Sequence, residues 1–378
     1  MSRSSNTWLA RAKLTNRILE TNLDSHVITP KLRRSELMQY VHVPELIKAI
    51  YQPTSFEQQV VPELYTRLWQ AIDHYDLKTD PYILDLRSTT DPEAITLLNR
   101  TLLAKHTYCL DQLDDVARRA EVILKDLGIT AVEWYVRTCY TRNIREPEQV
   151  DPLWMPDSSD KEKKHVATIL ENIIACDDSQ LTPSLGTSPK TRMLLETLRQ
   201  EAAESFTGII FAEQRSLAAT LAETIKTHPL TAGLFKVTTF VGASTSSKRK
   251  ANIGDISEIS GQQQDLDDFR LGKKNLIVAT SVLEEGIDVS SCQTVICFDP
   301  PANLVSFIQR RGRARKKGSK FIILLEQGDS TGEPARWHDL EENMKNAYME
   351  ELRNVELAAT LENQVDFSNR RYIVPSTG

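Results

Sequence analysis

Apolar positions along the chain fall into two regimes. From residue 7 to about 180 they recur three and four apart, the spacing of one face of an α-helix. The segment 110–127 shows this best: Leu110, Leu113, Val116, Ala117, Ala120, Ile123, Leu124 and Leu127 form one stripe, and Gly128 stands where a helix C-cap belongs. Comparable stripes in 56–74, 93–107 and 162–176 predict a block that is nearly all helix. A stretch rich in Ser, Thr, Pro and Gly from Asp177 to Pro189 reads as a linker. Beyond it, short β-branched runs at Gly208–Ala212, Lys236–Val241, Leu276–Thr280, Thr294–Phe298 and Lys320–Leu325 alternate with helical stretches at 214–226, 262–272 and 303–311. Strands separated by helices predict βαβ units and a parallel sheet. The polar segment 243–261 is expected to be an exposed loop. A last helix is expected from about Pro334 to Leu361, with Leu340, Met344, Ala347, Tyr348, Leu352, Val355 and Ala359 on an apolar face that must pack on something. No internal repeat is visible.

Composition narrows the class. A chain of 378 residues with 40% hydrophobic and 26% charged positions has room for two or three globular domains. No run approaches the roughly 20 apolar residues of a membrane span, and Met1 to Ala10 lacks an apolar core of the secretory kind. No membrane is expected as a partner. The five cysteines, Cys109, Cys139, Cys176, Cys292 and Cys297, are scattered and form no C-x-x-C pair. They are expected to be reduced, mostly buried thiols of a cytoplasmic or nuclear protein, not a secreted one. His74, His106 and His165 read as ordinary helix residues without an H-E-x-x-H, so no metal site is expected in the chain. The formal net charge of −6 excludes a chain coated in basic charge but leaves local patches open.

The densest local signal is Gln309-Arg310-Arg311-Gly312-Arg313-Ala314-Arg315-Lys316-Lys317-Gly318-Ser319-Lys320, in which seven of twelve residues are basic and none is acidic. A solvated basic face is the bland explanation. Context opposes it, because the run lies between a helical stretch and an apolar strand, where guanidiniums repel one another unless an anion neutralises them. Phosphate oxygens suit the forked donors of arginine. The second signal is Val278-Ala279-Thr280-Ser281-Val282-Leu283-Glu284-Glu285-Gly286-Ile287-Asp288-Val289, a strand end followed by a turn, where open α/β sheets bind ligands. Taken alone it could be an ordinary strand and turn.

Together the two runs, T-S-x-x-x-E-G-x-D and then Q-x-x-G-R-x-R, resemble motifs V and VI of superfamily-2 helicases. Gly208 to Arg215 resembles motif IV, Phe240-Val241-Gly242 the strand end that follows it, and Gln264 to Gly272 the helix before motif V. Ser188-Pro189-Lys190 with Leu194, Leu195 and Leu198 resembles the helix that opens the second RecA-like domain. The helical block before it is similar to the insertion of Dicer and its relatives, the cytosolic RNA sensors. Asn22-Leu23-Asp24, Thr29-Pro30, Tyr40-Val41-His42-Val43-Pro44 and Phe298-Asp299-Pro300-Pro301 resemble fungal Dicer-like proteins.

The resemblance implies an α/β chain: one RecA-like parallel-sheet domain with a preceding all-α insertion domain and a long C-terminal helical arm. Its divisions would be 1–54, a connector from a first RecA-like domain; 55–180, the helical insertion; 188–330, the helicase C-terminal domain; and 334–378, the arm and a linker toward a dimerisation domain. It implies roles for single residues. Arg313 first and Arg315 second would stabilise charge on a transferring phosphoryl group, with Gln309 beside them, while Gly286 and Asp288 would face the nucleotide ribose. Arg310 and Arg311 would be structural or contact the domain interface. Thr280, Ser281, Gln214, Arg215 and Gly242 would contact an RNA backbone. ATP and Mg²⁺ would be the cofactors, both only with a first RecA-like domain. Double-stranded RNA, that domain in cis or trans, and a double-stranded-RNA-binding protein would be the partners.

Absent motifs temper this. There is no G-x-x-x-x-G-K-[ST], the dipeptide Asp-Glu occurs nowhere, and no tandem acidic clusters of the ribonuclease III type are present. The chain is therefore expected to be a fragment that cannot hydrolyse ATP alone, its start resembling a cut just after motif III. The alternatives are a non-catalytic RNA-binding or scaffolding module and, more weakly, part of a DNA helicase.

Overall fold

A computed structural model of the protein describes residues 42–53, 61–144, 159–175, 186–242, 252–257, 261–284, 287, 289, 291–329, 337 and 339–343. The chain divides into two compact units, 1–43 and 44–378, and every element given below belongs to the second. Among the described residues no helix is long and apolar enough to cross a membrane.

The second unit begins with a strand, β1 (Glu45–Tyr51). Among the described residues it continues through six α-helices: α1 (Glu63–Asp73), α2 (Pro81–Arg87), α3 (Pro92–Ala104), α4 (Tyr108–Asp126), α5 (Ile129–Ile144) and α6 (Asp160–Ala175). Helix α4 buries the stripe predicted for it, from Leu113 to Leu127. Gly128, at φ +104°, donates back to the carbonyls of Ile123 and Leu124, the left-handed ending that glycine adopts at no steric cost. The Gly186 carbonyl also lies against it, leaving no room for a Cβ.

The chain then alternates: α7 (Pro189–Glu201), β2 (Gly208–Phe211), α8 (Arg215–Thr227), β3 (Val237–Phe240), α9 (Gln262–Arg270), β4 (Leu276–Ala279), β5 (Thr294–Cys297), α10 (Leu304–Arg311) and β6 (Lys320–Glu326). Among the described residues the sheet has six strands in the order β1-β6-β5-β2-β4-β3, and every pairing is parallel. The four central strands are apolar on both faces, as parallel strands covered by helices must be. Ile210, Val278, Ile296, Ile322 and Leu324 join the core shared with the helical block, while Ile209, Phe211, Ile277, Val295 and Ile323 join a second core with Phe269, Phe307 and Trp337.

Two expectations change. Within 7–180, expected to be nearly all helix, Glu45–Tyr51 is a strand that pairs along its whole length with Lys320–Glu326. Its sequence, ELIKAIY, carries exposed charges, Glu45 and Lys48, that mask a strand at the sheet edge. Nor is 243–261 simply an exposed loop. Residues 252–257 are docked, with Ile253 and Ile256 buried, because the helical block offers partners for their backbone. Gln112 Oε1 accepts from Ile253 N at 2.9 Å, Tyr135 and Ser216 hydroxyls both donate to the Gly254 carbonyl at 2.9 Å, and Arg142 donates to the Ile256 carbonyl. Most of the expected last helix lies outside the described residues; 339–343 are helical.

Candidate nucleotide and nucleic-acid interface

A parallel sheet sends every strand's carboxyl end to one edge, where α/β folds collect ligand-binding turns. Here that edge carries Gln214 and Arg215 after β2, Val241 and Gly242 after β3, Thr280 and Ser281 after β4, and Phe298 and Asp299 after β5.

Gln214 is exposed and precedes α8 without capping it by its side chain. Arg215 pairs with Asp255 at 3.2 Å, which ties it to the docked 252–257 turn. Gly242 has φ +67°, and its amide and that of Val241 both donate to Gln262 Oε1 at 3.2 Å. Thr280 is buried, and its hydroxyl donates to the Val241 carbonyl at 3.3 Å. Ser281 is exposed at the start of the 3-10 turn Ser281–Leu283. Thr280 therefore braces the strand ends, while Ser281 and Gln214 offer polar groups to solvent.

The basic run forms a second group. Asn303 Oδ1 caps α10 by accepting from Ser306 N at 2.9 Å, which fixes the start of the helix that delivers the arginines. Arg310 is 5% exposed: its Nε donates to Glu284 Oε1 at 2.7 Å, its Nη1 to the Asp299 carbonyl at 2.8 Å, and its guanidinium lies 5.0 Å from the Phe211 ring centre. Ser306 Oγ donates to the other oxygen of Glu284 at 2.9 Å. Arg311 pairs with Glu341 at 2.8 Å and lies over Phe307. For these two arginines the neutralising anion is a protein carboxylate, where the sequence argument left it to phosphate.

Arg313 is buried and reaches backbone: Nη1 donates to the Ile287 carbonyl at 2.7 Å and Nη2 to the Glu284 carbonyl at 2.9 Å. Arg315 is exposed, with Nε donating to the Gly312 carbonyl at 2.8 Å. Gln309 is half-buried on α10. Gly286 and Asp288 lie outside the described residues. The turn after β4 thus serves both groups, Thr280 and Ser281 in the first, Glu284 and Ile287 in the second. Arg313 lies against peptide carbonyls, whereas Arg315 and Lys317 are exposed. Among the described residues no cluster of His, Cys, Asp or Glu could hold a metal ion.

Three residues to which the sequence reading gave no functional role complete the arrangement. Lys190 Nζ, 8% exposed, lies 2.7 Å from Asp299 Oδ1, 3.2 Å from Asp126 Oδ2 and 4.1 Å from the Phe298 ring centre. Burial alone would lower its pKa; Asp299 and Asp126 more than reverse this and hold the ammonium above its ordinary value. Burial raises the Asp126 carboxyl, partly countered by Lys190. Asp299 Oδ2 accepts from Glu213 N at 2.7 Å. The signal was available in principle: a lysine in the first turn of a helix opposes the helix dipole, so it needs carboxylates nearby.

Comparison with known proteins bears on this arrangement. Residues 189–318 match the helicase conserved C-terminal domain. The chain is 42% identical to Dicer-like protein 2 of Phaeosphaeria nodorum over 95% of its length, covering 26% of that protein. It is 38% identical to Dicer-like protein 2 of Aspergillus terreus over 96% of its length, covering 26% of that protein. Among solved structures, the Hef helicase domain of Pyrococcus furiosus aligns with 80% of this chain and 59% of that one, at 21% identity and a TM-score of 0.37. The chain spans about a quarter of the length of the curated relatives it matches.

Proposed function

For a chain that carries the helicase C-terminal domain of the Dicer-like proteins, we propose the role of one half of an ATP-dependent double-stranded-RNA translocase: it supplies arginines to the nucleotide and backbone contacts to the duplex. The observation that carries this reading is Glu284. Its carboxylate binds Arg310 and its carbonyl binds Arg313, so the turn after β4 and the arginine run form one unit. A change at the RNA edge, through Thr280 and Ser281, would reach the nucleotide edge within a few residues.

In this proposal Arg313 and Arg315 stabilise charge on the transferring phosphoryl group, Gln309 supports them, and Gly286 and Asp288 face the ribose. ATP with Mg²⁺ supplies the phosphoryl group and its neutralising charge. A first RecA-like domain, in cis or trans, holds both. Residues 55–180 act as the helical insertion, 188–330 as the second RecA-like domain and 334–378 as the arm. Ser281, Gln214 and Arg215 meet RNA phosphates, with Thr280 and Gly242 shaping the turn that presents them. A double-stranded-RNA-binding protein would be a further partner.

The test is a salt-titrated binding assay with two unrelated RNA duplexes and a DNA duplex of the same length. Side chains cannot read the deep, narrow groove of duplex RNA. Weak binding without sequence preference is therefore expected, falling steeply with salt as counterions are released. Equal affinity for the DNA, or a clear preference between the RNA sequences, would overturn the proposal and favour the DNA-helicase alternative.

A further inference from the structure

We infer that Lys190 is a positioning residue that ties the helical block to both functional groups, through Asp126 on one side and Asp299 on the other. Three observations meet at this point. Asp126 ends α4, the longest described helix of the block, and its carbonyl also accepts from Ser188 and Thr191 hydroxyls, so the end of α4 and the start of α7 form one joint. Lys190 projects from that joint into the space between Asp126 and Asp299. Asp299 then distributes the constraint: one carboxylate oxygen takes Lys190, the other takes the amide of Glu213 in the turn after β2, and its carbonyl takes Arg310.

The chemistry explains why a charged residue sits there. A buried lysine is costly unless its charge is paired, and so is a buried carboxylate. Removing Lys190 leaves two carboxylates without compensation, and removing either carboxylate leaves the lysine with a single partner. From Asp126 the contacts run through Lys190 and Asp299 to Arg310, then through Glu284 to Arg313. A displacement of the block, as when it takes hold of a duplex, moves the turn after β2 and the arginine run by the same route. That Lys190 matters to catalysis rests on the role proposed for Arg313; that it positions Glu213 and Arg310 does not.

The experiment is amide hydrogen exchange on the full chain. Asp126→Asn leaves the Lys190–Asp299 pair in place and changes only the contact with the block. Exchange is expected to rise by about tenfold in 212–216 and by a smaller factor in 309–316, with the core of α5 unchanged. Asp115→Asn is the control, because Asp115 holds Arg119 at the other joint, where the block meets Ser216. It is expected to leave 309–316 as in the wild type. Lys190→Arg keeps a cation between the carboxylates and is expected to preserve protection in both segments, whereas Lys190→Met is expected to lose it; this pair decides the matter if Asp126→Asn does not fold. Equal effects of Asp126→Asn and Asp115→Asn on 309–316, a uniform rise across the molecule, or no change in either segment would overturn the inference. Failure of the wild-type chain to bind RNA would sink the proposed function and leave these exchange results standing.

Discussion

Arg310 and Glu284 lie 2.7 Å apart with both side chains buried, one on the helix that carries the basic run and the other on the turn after β4. Breaking a buried pair by removing one partner strands the other charge away from water and typically costs about 3–5 kcal/mol. Arg310→Ala is therefore expected to lower the stability of the chain by roughly that amount. A urea titration checks it. A loss below about 1 kcal/mol, the range of an exposed pair, would show that Glu284 is not confined as described.

Gly242 gives a prediction about shape. Its φ of +67° is unfavourable for any residue with a Cβ, and a Cβ there would stand 2.6 Å from Val282 Cγ2. Valine is stiff at χ1 and cannot easily turn aside. Gly242→Ala is expected to cost at least about 1–2 kcal/mol from the backbone alone. Adding Val282→Ala removes both γ-carbons and should recover most of the steric part, leaving the backbone part. Full recovery in the double variant would mean that φ at 242 is not constrained.

The thiols give a prediction about pH. Burial pushes Cys139 and Cys292 up to about 12 and Cys297 up to about 11; burial also raises Cys109. Only the thiolate reacts, so at pH 8 these four thiols of the folded chain should resist alkylation and react once it is unfolded. The unfolded state loses its thiol protons near pH 8.5 while the folded state keeps them, so it binds fewer protons above that pH. Stability should then fall as pH rises from about 8.5 toward 11, by up to about 1.4 kcal/mol per thiol per pH unit. Mass spectrometry after a brief iodoacetamide pulse reads the first effect. Rapid labelling of Cys297 in the native chain would contradict its burial.

Much of this was legible in the sequence, and the exceptions have physical causes. The α4 stripe, its glycine ending and the strands after residue 207 follow from periodicities that burial enforces. Strand β1 was missed because edge position leaves Glu45, Leu46, Lys48 and Ile50 exposed, which erases the alternation a half-buried strand would show. Docking of 252–257 was missed because its partners, Gln112, Tyr135 and Arg142, lie more than a hundred residues away. The basic run was found by its density, and it was the resemblance, not the residue types, that set Arg310 and Arg311 apart from Arg313 and Arg315. Arg310 and Arg311 look like Arg313 and Arg315 in sequence, and only the placement of Glu284 and Glu341 separates those held by carboxylates from the rest.

ATP hydrolysis tests most directly whether this chain supplies arginines to a nucleotide held by another domain. Turnover should be measured for the chain alone and for the chain joined to a first RecA-like domain that carries the Walker A and D-E-x-H motifs, each with and without duplex RNA. The chain alone should stay at background, and the joined protein should hydrolyse ATP faster with RNA. In the joined protein Arg313→Ala should lower turnover by about 10³-fold or more, the scale of an arginine that stabilises phosphoryl transfer. Arg315 is exposed, so Arg315→Ala should lower turnover without disturbing the fold. RNA-stimulated hydrolysis by the chain alone, or a joined protein whose turnover changes less than about threefold on both substitutions, would contradict the account.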